Sequence, residues 1–254
     1  MKNKRKLSGM ISLGAALLTL AACASSGNQS ASNSSSSSQT SQPSGAMDAS
    51  RISAPQVGLS DSEWNQSRGT VSDGKDTNSE NAPTRILTPD AKSLIVYFSR
   101  SGSTELLASK VQARTGADVI ELVPAENYSS DYGQTVQRAN GERQREDDPA
   151  LNVEIPDLSQ YDTIYLGYPI WGMTLAEPMA SFVEQYGDQL AGKTLVPFST
   201  NGSYGVGSSV DRIQNILSER GVTATLTQPY TIQGNQVDQA DSSLDEWLQR
   251  IHTL

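Results

Sequence analysis

The stretch SLIVYFSRSGST, residues 93–104, decides the fold of this 254-residue chain. Its apolar run at 94–98 is typical of a strand that is buried on both faces of a parallel sheet. A loop of hydroxyl side chains around Gly102 follows, and the pattern of residues 105–115 predicts a helix directly after it. Backbone N–H groups, hydroxyls and a helix N-terminus at one turn favour the binding of a phosphate.

This turn also has a simpler interpretation, in which Ser103 or Thr104 only caps the helix. The chain contains neither G-x-x-x-x-G-K-[ST] nor G-x-G-x-x-G. A nucleoside triphosphate loop and a dinucleotide fingerprint are therefore not indicated. The turn by itself leaves the phosphate site and the plain helix cap both open.

Outward from this stretch, residues 91–254 have the length of a single domain. Apolar runs alternate with helical patterns along them. The alternation predicts an α/β fold, a doubly wound, five-stranded parallel sheet with helices on both faces and ligands at the carboxyl ends of the strands. The predicted strands are residues 94–98, 118–123, 163–167, 194–199 and 222–230. The predicted helices are residues 105–115, 131–146, 176–186, 210–220 and 241–252.

Two further predicted loops leave strands at the same edge of the sheet. They are YPIWG, residues 168–172, and TNGSYG, residues 200–205, and both contain an aromatic residue and glycine. Beside a phosphate-binding turn they favour a ligand with a phosphate tail and a flat ring, because an aromatic side chain stacks well on another ring. In the alternative interpretation, Trp171 and Tyr204 simply pack down on the sheet edge.

The segments FSRSGSTE (98–105), YPIWG and TNGSYG resemble the three flavin-binding loops of the flavodoxin family. The resemblance runs from about residue 94 to the C-terminus and is to the short form of the family. It implies a flavodoxin-like sheet of strand order 2-1-3-4-5 and FMN as the cofactor. One departure is Gly172, where many relatives have a second tryptophan, and it implies a more open stacking face.

The resemblance also assigns each loop to a part of the cofactor. The residues at the FMN phosphate are Ser99, Arg100, Ser101, Gly102, Ser103 and Thr104. The residues along one side of the isoalloxazine are Pro169, Ile170, Trp171 and Gly172. The residues along its other side and its pyrimidine edge are Thr200, Asn201, Gly202, Ser203, Tyr204 and Gly205.

With FMN bound, the domain would be an electron carrier or a flavin-dependent reductase, for example of quinones or nitro-compounds. The sequence does not distinguish the two, since no residue stands out as a catalytic acid, base or thiol. No pattern predicts a metal site. Uncharged donors at the phosphate, with Arg100 as the one nearby cation, and an acidic surface lead us to expect a low flavin potential. Tyr128 and Tyr132 either shape a pocket for an acceptor or pack the helix at 131–146.

Two other functions compete with electron transfer. The first is a non-redox binding module for another phosphorylated flat ligand, which would use the same loops. The second is a hydrolase, which is disfavoured because Ser99 or Ser101 would need a base. The only histidine of the chain, His252, lies near the C-terminus.

The N-terminus resembles a bacterial lipoprotein signal peptide, residues 1–23. A basic start at 2–6 precedes an apolar stretch at 7–20, which is too short for a comfortable membrane span. Leu-Ala-Ala-Cys at 20–23 resembles a lipobox, which implies cleavage before Cys23 and lipidation of that residue. The resemblance implies an extracytoplasmic protein that is lipid-anchored to the bacterial cell membrane. An ordinary secretory signal and an uncleaved anchor are the alternatives.

Residues 24–90 are rich in Ser, Asn, Gln, Gly, Asp and Pro and include a serine run at 34–38. This composition buries too little apolar surface to offset chain entropy, so it predicts a flexible tether. Trp64 is the one aromatic residue in it. It is either a contact point for a partner or incidental.

The charge of the chain is concentrated in the predicted domain. Residues 91–254 carry 21 acidic and 11 basic side chains. This acidic balance argues against nucleic-acid binding. It suits solubility, and it also suits attraction to a basic redox partner protein, with a small-molecule electron acceptor as the other expected partner.

Overall fold

The computed structural model describes residues 45–67 and 82–252. The predicted signal peptide, the lipidation site Cys23 and the serine run lie outside the described residues. Within the described ranges, no helix combines the length and apolar character that crossing a bilayer requires.

The described part of the chain forms a sheet with flanking helices. The strands are β1 (Arg85–Ile86), β2 (Ser93–Tyr97), β3 (Asp118–Glu121), β4 (Thr163–Trp171), β5 (Thr174–Leu175), β6 (Thr194–Asn201), β7 (Thr225–Leu226) and β8 (Tyr230–Gln233). The helices are α1 (Asp61–Ser67), α2 (Ser103–Thr115), α3 (Tyr132–Arg145), α4 (Glu177–Tyr186), α5 (Ser209–Glu219) and α6 (Asp241–His252). Short 3-10 turns lie at Ala49–Arg51, Leu158–Gln160, Gly187–Leu190 and Gly234–Gln239.

The strand order is β1-β3-β2-β4-β6-β7, with β8 also paired to β6 and β5 to β4. β3, β2, β4, β6 and the β7/β8 pair run parallel, while β1 and β5 pair antiparallel. The predicted α/β class and the order 2-1-3-4-5 are confirmed for the parallel part. The count of five strands is wrong. The predicted fifth strand is two short strands separated by residues 227–229, where Pro229 lacks the N–H that a ladder needs.

The central strand β2 supplies apolar side chains to both faces of the sheet. Leu94 and Val96 join a core formed with α3, α4 and α5, whereas Ile95 and Tyr97 join a second core formed with α2 and α6. All four side chains are fully buried. Because successive strand residues point to opposite faces, an unbroken apolar run is what a strand covered on both sides requires.

Residues 45–67 pack against the domain, so the prediction of a flexible tether is wrong for them. Met47 and Trp64 are buried, and Ile52 and Val57 pack against the α2/α6 core. The backbone N–H of Met47 donates to Oε1 of Gln112 on α2 at 2.7 Å. These apolar residues are too widely spaced to show a helical or strand period, which explains why the pattern resembled a tether.

Candidate functional site

A cavity of about 520 Å³ opens at the carboxyl ends of β2, β4 and β6. Its wall draws on all three predicted loops, and the structure therefore brings them together around one cleft. The predicted residues on the wall are Ser99, Arg100, Ser101, Ser103, Thr104, Pro169, Ile170, Trp171, Gly172, Thr200, Asn201, Gly202 and Tyr204. Three predicted residues, Gly102, Ser203 and Gly205, are not on it.

The first loop turns at Gly102, whose φ of 81° lies in the left-handed region that glycine tolerates. Its N–H donates to Oγ of Ser99 at 3.1 Å. No side chain caps α2, so the simpler interpretation of Ser103 or Thr104 as a helix cap is wrong. The buried Oγ of Ser103 has no hydrogen-bond partner within the described part of the chain. A buried hydroxyl without a partner at a helix N-terminus fits an anion that is to be bound there.

The second loop is tighter than predicted, because Pro169, Ile170 and Trp171 extend β4 and pair with β5. Only Gly172 and Met173 connect the two strands, with φ of 55° and 66°. A two-residue connection with both residues at positive φ is the turn that matches the twist of a hairpin. A methionine in this conformation is strained, as is common near functional sites.

Trp171 both packs on the sheet edge and lines the cleft. Its ring meets Phe98 edge-on at a centroid distance of 5.4 Å and Tyr128 at 4.9 Å. Tyr204 lies at the rim with 55% of its surface exposed. The alternative in which both aromatic rings pack down on the sheet therefore fails for Tyr204.

The third loop is held by the side chain of Asn201. Its Nδ2 donates to Thr231 Oγ1 at 2.8 Å and to the Ile232 carbonyl at 3.1 Å, and its Oδ1 accepts from the Ser203 N–H at 2.9 Å. Thr200 Oγ1 lies 2.8 Å from Thr104 Oγ1 and joins the third loop to the first. These bonds fix the relative position of two loops that are about 100 residues apart in sequence.

A sequence model of the flavodoxin family matches residues 92–251. This chain belongs to the flavodoxin family. The match includes all three loops and leaves out residues 45–67. No curated protein shows a significant match to the chain.

Solved structures with the same fold cover the flavodoxin domain almost completely. One is a protein from Bacteroides uniformis that carries the name flavoprotein. It is 26% identical, with 61% of this chain and 98% of that chain covered and a TM-score of 0.52. Another is a flavoprotein from Lactobacillus acidophilus in complex with FMN, which is 22% identical, with 62% and 98% covered and a TM-score of 0.51.

Arg100 of the flavodoxin domain turns its guanidinium to a neighbouring loop. It is buried, and its Nη2 donates to the carbonyls of Ser129 and Ser130, each at 2.9 Å. The loop before α3 is thereby tied to the first loop. Arg100 is thus engaged with backbone oxygens, although part of it lines the cleft.

Arg143 on α3 is a cleft residue that the sequence interpretation missed. Its Nη2 donates to the Trp171 carbonyl at 3.3 Å and pairs with Glu177 Oε1 at 2.7 Å. A Cβ at position 172 would collide with Nη1 of Arg143. The stacking face beside Gly172 was expected to be more open, but the guanidinium of Arg143 covers it. No local motif marks Arg143, since it lies 28 residues before Trp171 on a polar helix.

A buried ionic cluster lies behind this turn. Glu177 is fully buried and pairs with both Arg143 and Arg212 at 2.7 Å, and Asp148 lies 3.3 Å from Arg212. Burial raises the pKa of Asp148 to about 7, with Glu184 and Glu177 adding to the rise and Arg212 opposing it. The charge beneath the Trp171 turn therefore changes near neutral pH.

Besides Arg143, nine wall residues lie outside the predicted set of site residues. They are Gln56, Trp64, Tyr132, Thr135, Val136, Ala139, Asn140, Met173 and Gly234. Tyr132 lines the cleft, whereas Tyr128 is buried and donates to Glu142 Oε2 at 2.5 Å, which packs it against α3. For Gln56 and Trp64, the one signal in the sequence was that Trp64 is a lone tryptophan in a polar segment.

Proposed function

We propose that this domain binds FMN in the cleft and transfers electrons, as a carrier or as a flavin-dependent reductase. The observation that carries the proposal is the convergence of three loops on one cleft whose wall includes the buried Ser103 and the ring of Trp171. Family membership supports the same cofactor, and so does the FMN complex of the Lactobacillus acidophilus flavoprotein.

The first loop has the chemistry that a phosphate requires. It offers a backbone at positive φ at Gly102, the start of α2 at Ser103, and several hydroxyls. A buried hydroxyl without a partner costs about 1–3 kcal/mol. A phosphate oxygen that accepts from Ser103 would remove this cost, and Thr104 would remain bonded to Thr200.

The aromatic part of the cleft suits a flat ring. Trp171 is held by its edge-on contacts with Phe98 and Tyr128, so its orientation is set before any ligand arrives. Pockets that enclose small cofactors typically measure about 300–1,000 Å³. The cavity of about 520 Å³ falls in this range.

FMN, when bound, supplies one- or two-electron transfer, while the protein sets its position and electrostatic surroundings. Arg143 brings a positive charge to the Trp171–Gly172 turn, and Glu177 offsets part of it. A cation beside the ring favours negative charge on it. Arg143 therefore opposes the low potential expected from the uncharged phosphate donors and the acidic surface.

We further propose that the domain is displayed on the outer face of the bacterial cell membrane through a lipid on Cys23. The basic start, the short apolar stretch and Leu-Ala-Ala-Cys at 20–23 support this location. The excess of acidic side chains in residues 91–254 supports a basic redox protein as partner. Incorporation of labelled palmitate that is lost in Cys23→Ser would test the anchor.

The cofactor assignment is tested by titrating the purified full chain with FMN and following flavin fluorescence. We expect saturable binding to wild type and about tenfold weaker binding to Ser103→Ala, since a hydrogen bond to a charged group is lost. The exposed Ser242→Ala serves as the matched control and should bind like wild type. A chain that takes up no FMN would favour a binding module for a different ligand.

Carrier and enzyme are separated by the electron donor. The flavin-loaded protein is mixed with NADH or NADPH, and then with quinones or nitro-compounds as acceptors. Rapid reduction by a nicotinamide alone identifies a reductase. Reduction only through a second protein identifies a carrier.

A further inference from the structure

We infer that residues 45–64 are part of the flavin site, and that Gln56 and Trp64 complete its phosphate end. This inference rests on the proposed function and extends it, because both residues lie outside the range 92–251 that matches the family. Both line the same cleft as the three loops. The segment therefore adds a fourth wall that the family domain does not supply.

The segment crosses directly over the phosphate-binding turn. A Cβ at position 102 would collide with the carbonyl of Ser53, so Gly102 is required by this contact as well as by its φ of 81°. Three residues further along, Gln56 Oε1 accepts from Oγ of Ser101 at 3.2 Å. The segment thus touches the turn through its backbone and through a side chain.

Trp64 connects three parts of the site. Only 3% of its surface is exposed, and its Nε1 donates to Oγ of Ser203 in the third loop at 3.3 Å. Its Cη2 lies 3.0 Å from where a Cβ of Gly234 would be, and Ser103 Oγ lies 3.5 Å from the same point. The indole and the buried Ser103 hydroxyl therefore both border Gly234, which leaves room for the indole because it has no side chain.

The segment is anchored on both sides of this crossing. Before it, the side chain of Gln112 on α2 makes two hydrogen bonds to the segment. Its Oε1 accepts from the Met47 N–H at 2.7 Å, and its Nε2 donates to the Gly45 carbonyl at 2.9 Å. After it, the Gly58 N–H donates to the Asn235 carbonyl at 2.8 Å, and Asn235 Nδ2 donates to the Leu59 carbonyl at 3.0 Å. These bonds hold residues 53–57 over the turn.

The chemistry of the two side chains points to the phosphate rather than to the ring. The indole offers one N–H donor and no acceptor, and the glutamine amide offers two N–H donors. Gln56 contacts the first loop through Ser101, and Trp64 borders Gly234, which Ser103 also borders. Trp171, by contrast, lies in the second loop, and Arg143 on α3 contacts that loop. Uncharged donors next to a helix N-terminus are suited to phosphate oxygens.

The test compares FMN with riboflavin, which has the same ring but no phosphate, in the full chain. The variants are Trp64→Phe, which keeps the ring and removes the N–H, Trp64→Ala and Gln56→Ala. The exposed Gln185→Ala on α4 is the matched control. We expect FMN to bind about tenfold more weakly to Trp64→Ala and Gln56→Ala, with a smaller loss for Trp64→Phe. Riboflavin affinity should stay within about twofold of wild type.

The outcomes separate this inference from the function on which it rests. Wild type that binds no FMN overturns the proposed function and this inference together. Wild type that binds FMN, with variants that bind it equally well, overturns this inference alone. If the variants lose affinity for FMN and riboflavin equally, the assignment of Gln56 and Trp64 to the phosphate end is wrong. If Trp64→Ala does not fold, as judged by circular dichroism, Trp64→Phe and Gln56→Ala decide the question.

Discussion

Replacing Asp148 by Asn should stabilise the folded domain, and the gain should grow as the pH rises to about 7. Burial raises the pKa of Asp148 from an ordinary value of 3.8 to about 7. The folded state therefore keeps a proton that the unfolded state has already released. The stabilisation by this proton is complete below pH 3.8 and is lost as the pH rises through 7. Asparagine is neutral at every pH, so the stability of the variant does not fall in this way as the pH rises.

The magnitude follows from the width of this pH window. Between the two pKa values, the free energy of unfolding of wild type falls by about 1.4 kcal/mol for each pH unit, so it falls by about 2 kcal/mol from pH 5.5 to 7. Asp148 is partly exposed and pairs with Arg212 at 3.3 Å, so solvent screening reduces this figure. We expect the advantage of the variant to grow by roughly 1 kcal/mol over this range and to level off above pH 7.

The assay is urea denaturation of the flavin-free protein at several pH values between 5.5 and 8. Asp147→Asn is the matched control, because Asp147 is the exposed neighbour, and it should stay within about 0.5 kcal/mol of wild type. The reasoning is refuted if Asp148→Asn is less stable than wild type at pH 7.5. That result would mean that the pair of Asp148 with Arg212 is a net stabilising interaction.

Two further predictions concern the turn beside the cleft. Arg143→Gln should lower the two-electron potential of the bound flavin by roughly 30 mV, equivalent to about 1.4 kcal/mol, and Arg143→Lys should lower it less. Redox titration measures both, and an unchanged potential in the glutamine variant would contradict the electrostatic role. Gly207→Ala should destabilise the domain by more than about 1 kcal/mol in urea, because its new Cβ would collide with the Met173 carbonyl. Gly192→Ala is the control, because Gly192 also has a positive φ but a Cβ there would meet open space. If Gly192→Ala loses as much stability as Gly207→Ala, backbone strain alone explains both losses and the collision does not.

Much of the site could be predicted because it is built from local segments at the ends of strands. The apolar run at 94–98 indicated a strand covered on both faces, and parallel strands bring their carboxyl ends to one edge. That rule was enough to expect Ser103, Trp171 and Tyr204 around one cleft. The direction of each side chain was not predictable, as Arg100 shows by turning to the Ser129 and Ser130 carbonyls.

The residues that the sequence interpretation missed reach the cleft through long-range packing. Arg143 enters from α3 because Glu177 and the Trp171 carbonyl hold its guanidinium. Trp64 enters from a segment whose composition is typical of disorder. A few widely spaced apolar contacts order that segment, and such contacts have no period along the chain.

The sequence by itself determined the α/β class and the three loops at one edge, because these depend on residues close together in the chain, whereas the strand order was implied by the resemblance to the flavodoxin family. Only the tertiary structure decided which distant side chains complete the cleft. The guanidinium beside Gly172 and the indole beside Gly234 are placed by contacts between elements, and the energy of those contacts exists only once the elements have packed.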